Sequence, residues 1–68
     1  MNKFEITTLG NLKIGDRFYL PRHKDKINEF CGIKSQGMRV IYCYYDHNED
    51  IINTEINCKC IYLRNVYD

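Results

Sequence analysis

Residues 9–21 constrain the fold of this chain more than any other segment of its sequence. Leucine and isoleucine residues lead into Gly15 and Asp16, a pair that is typical of a tight turn. The residues that follow alternate, so that a strand would place Phe18 on one face and Tyr19 on the other. A turn that is followed at once by a short alternating strand predicts an all-β fold.

The length of the chain limits it to one folded unit. Sixty-eight residues provide one hydrophobic core, so residues 1–68 are predicted to form a single domain. Six of them are tyrosines, whose rings pack on half-buried sheets while their hydroxyl groups reach water. The composition fits a thin β-sheet protein and equally allows an aromatic binding face.

Four further segments have the alternation, or the β-branched and aromatic content, of strands. They are residues 27–34, 38–45, 51–56 and 59–63. The polar residues 22–26 are predicted to form an exposed loop, and Gly32 indicates a bulge or a bend. No window of the sequence has the periodicity of a long amphipathic helix.

A flat sheet of five short strands would leave its edges unpaired and one apolar face in water. Curling the sheet until it closes removes both problems. We therefore expect a small five-stranded antiparallel β-barrel of the Src-homology-three-like kind.

The first segment also carries a resemblance to known proteins. Its motif L-x-x-L-K-x-G-D-x-F, at residues 9–18, resembles the opening of many small five-stranded β-barrel proteins from bacteria and their phages or mobile elements. Residues 61–63, which follow an acidic hairpin, are similar to the closing strand of such barrels. The resemblance implies a fold and no activity, so it assigns no functional residue.

Charge is nearly balanced overall but is unevenly distributed along the chain. The formal net charge is +1, which is low for a strong phosphate binder. Residues 1–40 contain eight Lys and Arg against four Asp and Glu, whereas residues 41–68 contain two against five. A basic side and an acidic side would steer a partner or favour head-to-tail self-association; a distribution without consequence is the alternative.

The four cysteines, at positions 31, 43, 58 and 60, are expected to be reduced. Cys58 and Cys60 would lie about 6.6 Å apart on one face of a strand, which is too far for a disulfide. The spacing also lacks the close pairs on tight turns that are typical of structural zinc. We expect thiols that pack as small apolar side chains, with a metal site or a disulfide as the weaker alternatives.

A calcium site is not indicated either. Asp46, Asn48 and Asp50 have the spacing of the first ligands of a calcium loop. The positions that require glycine and glutamate in such a loop hold Ile51 and Asn57 instead. The segment is therefore predicted to be a polar hairpin turn.

Enzymatic activity is not expected from this sequence. His23 and His47 lie in polar segments without a recognisable nucleophile motif. A barrel of this size fills its interior with side chains, so we predict no catalytic residue, no cofactor and no metal. No apolar run reaches the length of a signal peptide or a membrane span, which predicts a cytoplasmic protein without a membrane partner.

The predicted function is that of a noncatalytic protein-interaction or accessory module, which binds an unknown protein partner or a second copy of itself. The alternative is weak, non-specific nucleic-acid binding by the basic segment 13–26, with cations on phosphates and a tyrosine stacked on a base. The candidate binding surface consists of cations and two tyrosines: Lys13, Arg17, Tyr19, Arg22, Lys24, Lys26 and Tyr45. In the strongest strand, alternation places Tyr42 and Tyr44 on one face and Tyr45 on the other.

Overall fold

The structure is a computed structural model, which describes every residue from Met1 to Asp68. It contains one antiparallel sheet and a single turn of 3-10 helix, Leu9–Asn11. The strands are β1 (Ile6–Thr8), β2 (Asp16–Leu20), β3 (His23–Gln36), β4 (Arg39–Tyr45), β5 (Ile51–Thr54) and β6 (Lys59–Asn65). The predicted all-β fold is confirmed, but the strands number six rather than five, because residues 6–8 pair with β6.

The sheet has the strand order β1-β6-β2-β3-β4-β5, and its two edge strands, β1 and β5, do not pair with each other. Two backbone hydrogen bonds bridge part of the gap. They run from the Leu9 N–H to the Cys58 carbonyl (3.0 Å) and from the Gly10 N–H to the Ile56 carbonyl (3.1 Å). The helical turn therefore packs against the β5–β6 connection, while a closed Src-homology-three-like barrel stays a prediction.

Side chains from separate strands meet on the concave face of the sheet. Phe18 in β2 and Tyr44 in β4 are separated by β3, yet their ring centroids are 5.3 Å apart in edge-to-face contact. Strands two apart in a flat sheet would be separated by about 10 Å, so the sheet curls around this face. Eight buried side chains form the core: Leu9, Leu12, Phe18, Phe30, Tyr42, Tyr44, Cys60 and Tyr62.

The alternation predicted for β4 is confirmed. Tyr42 and Tyr44 are buried on the concave side, whereas Tyr45 is 39 % exposed. Tyr45 lies opposite Glu29 of β3 and Ile51 of β5, so it occupies the convex face at the end of β4. Tyr45 is consequently the tyrosine of β4 that a partner could contact.

The connection between β2 and β3 is shorter than the sequence predicted. Only Pro21 and Arg22 form the turn, and the predicted loop over residues 22–26 is wrong, because β3 already begins at His23. The bulge predicted at Gly32 is confirmed: the β3–β4 register shifts there, and Gly32 has a φ of +127°, which other residues rarely adopt.

A buried carboxylate fixes the turn of the first motif. Asp16 is 2 % exposed, and its Oδ2 accepts a hydrogen bond from the Lys13 N–H at 2.9 Å. Asn65 donates from Nδ2 to Asp16 Oδ1 (2.8 Å) and to the Ile14 carbonyl (3.1 Å), and its Oδ1 accepts from the Tyr67 N–H (2.7 Å). We call this group the Asp16 corner. All its side-chain polar atoms are paired, so the aspartate of the motif serves the fold.

Candidate functional site

The predicted basic segment does not form one patch. Lys13 precedes β2 and Arg22 follows it, so about 17 Å of extended strand separates them. Lys24 is exposed near the start of β3, and Lys26 is half-buried in the same strand. The cations therefore lie at both ends of β2, and nucleic-acid binding by this segment stays a prediction.

The two remaining residues of that segment point outward from β2 into different surroundings. Arg17 donates from Nε to Glu29 Oε1 at 3.3 Å, with 38 % and 30 % of the two side chains exposed. Tyr19 lies between Ile61 of β6 and Ile27 of β3 in the cross-strand register. Tyr19 thus belongs to an apolar surface, whereas Arg17 belongs to a charged one.

An apolar row crosses four adjacent strands on the convex face. Ile6 of β1 lies opposite Ile61 of β6, Ile61 lies opposite Tyr19 of β2, and Tyr19 lies opposite Ile27 of β3. Residues that are directly opposed in antiparallel strands present their side chains on the same face. Ile6 is 71 % exposed and Ile27 is 41 % exposed. Tyr19 and Ile61, between these exposed ends, are half-buried. We call these four residues the convex row; contiguous apolar surface that reaches solvent marks interaction sites.

A notch adjoins the Ile27 end of the convex row. It lies where β4 ends and the chain turns towards β5, while the first residues of β3 extend beyond the last β4 partner. Its volume is about 530 Å³. Eight residues line it: Arg17, Ile27, Asn28, Glu29, Tyr45, Asp46, His47 and Glu49. Because three carboxylates face a single guanidinium group, we call it the acidic notch.

The carboxylates of the acidic notch have free oxygen atoms. Asp46 Oδ1 accepts hydrogen bonds from the backbone N–H groups of Asn48 (2.9 Å) and Asp50 (3.0 Å), which hold the loop in place, while its Oδ2 accepts none. Glu29 uses only Oε1, and the Glu49 carboxylate has no hydrogen-bond partner in the protein. The loop is thus held by its backbone and presents unused acceptors to the notch.

Asn28 is 4 % exposed and lines the acidic notch, but its side chain lies on the concave face, because Asn28 is directly opposite Phe18 of β2. Its Nδ2 donates to the carbonyls of Phe18 and Lys26, both at 3.4 Å. These two acceptors fix the orientation of the amide, since an oxygen in that place would face two carbonyls. Its Oδ1 accepts no hydrogen bond within the protein. Every fully buried side-chain nitrogen or oxygen has a partner, so Asn28 Oδ1 is open to solvent.

A second, smaller depression lies between the β2–β3 and β4–β5 hairpins. Its volume is about 280 Å³, with His23 and Lys26 contributed by β3 and Asp46 and His47 by the opposite loop. Residues of the basic half and of the acidic half of the chain therefore meet at this end of the sheet. The two histidines, which are far apart in sequence, line the same depression.

The cysteine thiols differ in burial. Cys60 is fully buried in the core, and burial, followed by the charges of Cys58 and Asp16, raises the pKa of its thiol to about 12. Cys31 is half-buried, and burial together with the neighbouring Cys43 raises its pKa as well. A raised pKa keeps a thiol protonated and weakens it as a nucleophile at neutral pH.

Sequence reasoning identified two residues of the acidic notch, Arg17 and Tyr45, and missed the others. It predicted the polar turn at residues 46–50, which is confirmed. Asn28 resembles any other polar residue in a strand, so no local signal identifies it. The usable signal was the acidic run that directly follows the strongest strand, because such a run must lie beside the strand paired with it.

No helix in the structure combines the length and the apolar surface needed to cross a membrane. Comparisons of the chain with protein-family models, with curated proteins and with solved structures gave no match.

Proposed function

We propose that this chain is a noncatalytic protein-interaction or accessory module, and that a second copy of the chain covers its convex row. The observation that supports the proposal is the row itself, because four apolar side chains in register offer one continuous contact surface. A two-fold-related copy would pack the same row against itself, since isologous interfaces use one patch twice. The proposal includes a cytoplasmic setting, in which the free thiols remain reduced.

The size of the convex row indicates a weak dimer. A standard interface buries about 800 Å² on each partner, roughly a sixth of this chain's surface of 4931 Å². Four side chains supply only part of that area, so we expect a Kd of roughly 10–100 μM. The net charge of +1 does not oppose the association of two copies.

Sedimentation equilibrium over a range of chain concentrations tests the proposal. The average mass of the wild-type chain should increase with its concentration. Ile6→Lys should raise the dimer Kd at least about tenfold, because the interface would desolvate a lysine ammonium at a position where an apolar side chain packs in the wild type. Val40→Lys is the matched control: Val40 is 58 % exposed and lies near the β3–β4 turn, away from the convex row. A strict monomer, or equal effects of the two substitutions, would contradict the proposal.

A further inference from the structure

The smaller depression, between the β2–β3 and β4–β5 hairpins, opens on the concave face of the sheet. Asn28 of β3, which lines it, lies directly opposite Phe18 of the core, and directly opposed residues share a face. In the same way, Ile52 of β5 lies opposite Tyr44 of the core, and both line the depression. Leu20, which packs against the core, completes the apolar wall. We call this recess of about 280 Å³ the concave depression.

Asn28 supplies a buried hydrogen-bond acceptor to the concave depression. The residue is 4 % exposed, its Nδ2 donates to the carbonyls of Phe18 and Lys26, and its Oδ1 has no partner within the protein. Every fully buried side-chain nitrogen or oxygen has a partner, so this Oδ1 borders a space that solvent reaches. The concave depression is that space, because Asn28 lines it and the side chain lies on the same face. A buried acceptor normally has a partner, and a ligand N–H in the depression would supply the one that Asn28 lacks.

Two opposite charges also line the concave depression without forming an ion pair. Lys26 comes from β3 and Asp46 from the loop that follows β4, and both side chains are half-buried. The one ion pair of the protein joins Arg17 to Glu29, so the Lys26 ammonium does not contact the Asp46 carboxylate. Asp46 uses its Oδ1 for two backbone N–H groups of its own loop and keeps its Oδ2 free. A ligand that carries a positive and a negative charge can therefore pair with each of them.

We infer that the concave depression binds a free α-amino acid with an aliphatic side chain. The ligand ammonium group donates to Asn28 Oδ1 and Asp46 Oδ2, and the ligand carboxylate accepts from the Lys26 ammonium. The aliphatic side chain packs on the apolar wall. A ligand with one charge would leave Lys26 or Asp46 unpaired, and a polypeptide carries its amino and carboxyl termini on different residues. The volume of about 280 Å³ lies near the ~300 Å³ lower limit of small-molecule pockets, which suits a ligand of this size.

The first experiment is a ¹H–¹⁵N NMR titration of the full chain with L-leucine at constant pH and ionic strength. We expect saturable shifts of the Asn28 side-chain amide and of the backbone amides of Leu20 and Asp46, with a Kd of roughly 1–10 mM. L-leucinamide lacks the carboxylate and N-acetyl-L-leucine lacks the ammonium group, so each should bind at least about fivefold more weakly. The absence of saturable shifts with leucine, or equally tight binding of either analogue, would overturn the inference.

A matched pair of lysine substitutions tests the carboxylate end of the site. Lys26→Met keeps most of the alkyl stem and removes the ammonium, so it should weaken leucine binding about three- to tenfold. The same substitution should leave the Kd of L-leucinamide unchanged, because that probe has no carboxylate for Lys26 to contact. Lys24→Met makes the same change of charge at an exposed position outside the depression and should leave both constants unchanged. Equal effects of the two variants on leucine, or an equal loss for leucinamide in Lys26→Met, would contradict the assignment.

A second pair tests the ammonium end. Asp46→Asn keeps an Oδ1 for the backbone N–H groups of the loop and replaces the free Oδ2 by an amide nitrogen. It should weaken binding of leucine and of L-leucinamide about three- to tenfold. Asp50→Asn changes the charge of the same loop by the same amount outside the depression, and should alter neither constant. Equal weakening by both variants would mean that only the net charge of the loop matters, and the depression would lose its assignment.

The inference goes beyond the proposed function and does not depend on it, because the concave depression and the convex row lie on opposite faces of the sheet. The Ile6→Lys variant separates the two. It should lose the dimer and keep the leucine Kd of the wild type, since one copy of the chain contains the whole depression. Loss of leucine binding together with the dimer would contradict the inference.

Discussion

The Asp16 corner and the acidic notch each contain one buried asparagine, and the two side chains are used in different ways. Asn65 is 5 % exposed and makes three hydrogen bonds of 2.7–3.1 Å, which engage both its oxygen and its nitrogen. Asn28 is 4 % exposed and makes two bonds of 3.4 Å, which engage its nitrogen alone. The two asparagines are thus equally buried, but every polar atom of the Asn65 side chain is hydrogen-bonded, whereas the oxygen of Asn28 is not.

The difference separates groups that stabilise the fold from groups that remain available to a ligand. In the corner, the carboxylate of Asp16 has a partner on each oxygen and is 2 % exposed, so it is closed to a ligand from solvent. In the notch, Glu49 has no partner and Asp46 keeps one oxygen free. Unused acceptors beside an exposed apolar row are therefore the better guide to function here, although the corner contains the most recognisable motif of the sequence.

The largest expected effect comes from removing each asparagine in turn. Asn65→Ala should lower the free energy of unfolding by about 3 kcal/mol, because it leaves a buried carboxylate oxygen and the Tyr67 N–H without partners. Asn28→Ala should cost about 1 kcal/mol, since its two bonds are long and end on carbonyls. Urea unfolding of both variants measures the difference, and equal costs would remove the contrast between the two regions.

The next effect concerns the thiol of Cys60, whose pKa of about 12 lies above its ordinary value of 9.0, chiefly because of burial and then because of the charges of Cys58 and Asp16. The folded state holds the proton more tightly than the unfolded state, so this contribution to stability is complete below about pH 9 and is lost as the pH rises towards 12. Between about pH 8 and pH 10.5, the wild type should lose roughly 2 kcal/mol more than Cys60→Ala.

Urea unfolding in the presence of a reductant measures that loss at each pH. The alanine variant is the control, because it removes only the thiol and keeps every other titratable group. If the stability of the two proteins changed with pH in parallel, the pKa of the Cys60 thiol would not be raised by the core.

The sequence predicts the core side of the molecule well and the convex row and acidic notch poorly, for a physical reason. Alternation along one strand identifies which side chains share a face, and so Tyr42 and Tyr44 were correctly separated from Tyr45, although alternation did not say which face is buried. The glycine at position 32 identifies its bulge because its backbone conformation is rare in other residues. These are local signals, each contained in a few neighbouring residues.

The convex row and the acidic notch depend instead on cross-strand register. The four residues of the convex row are neighbours only because three separate strand pairings align them. These pairings join distant parts of the chain, so no short stretch of sequence reveals the whole row. Likewise, the notch exists because β3 extends past the end of β4. A strand that starts four residues earlier than its pattern predicts changes which loop lies beside it, and the polarity of residues 23–26 concealed that extension.

The smallest expected effect is the most direct test of the contrast between corner and notch. Glu49→Gln should change the free energy of unfolding by less than about 0.5 kcal/mol, because the Glu49 side chain is exposed and makes no hydrogen bond in the protein. The backbone of residue 49 has a φ of +67°, and adopting it costs glutamine as much as glutamate. The substitution therefore leaves the backbone strain of the loop unchanged. Thermal and urea unfolding supply the measurement, beside the Glu55→Gln variant, which makes the same change of charge outside the notch. A loss comparable to that of Asn65→Ala would mean that Glu49 holds the loop against β3, and the notch would then be a second structural corner without free acceptors.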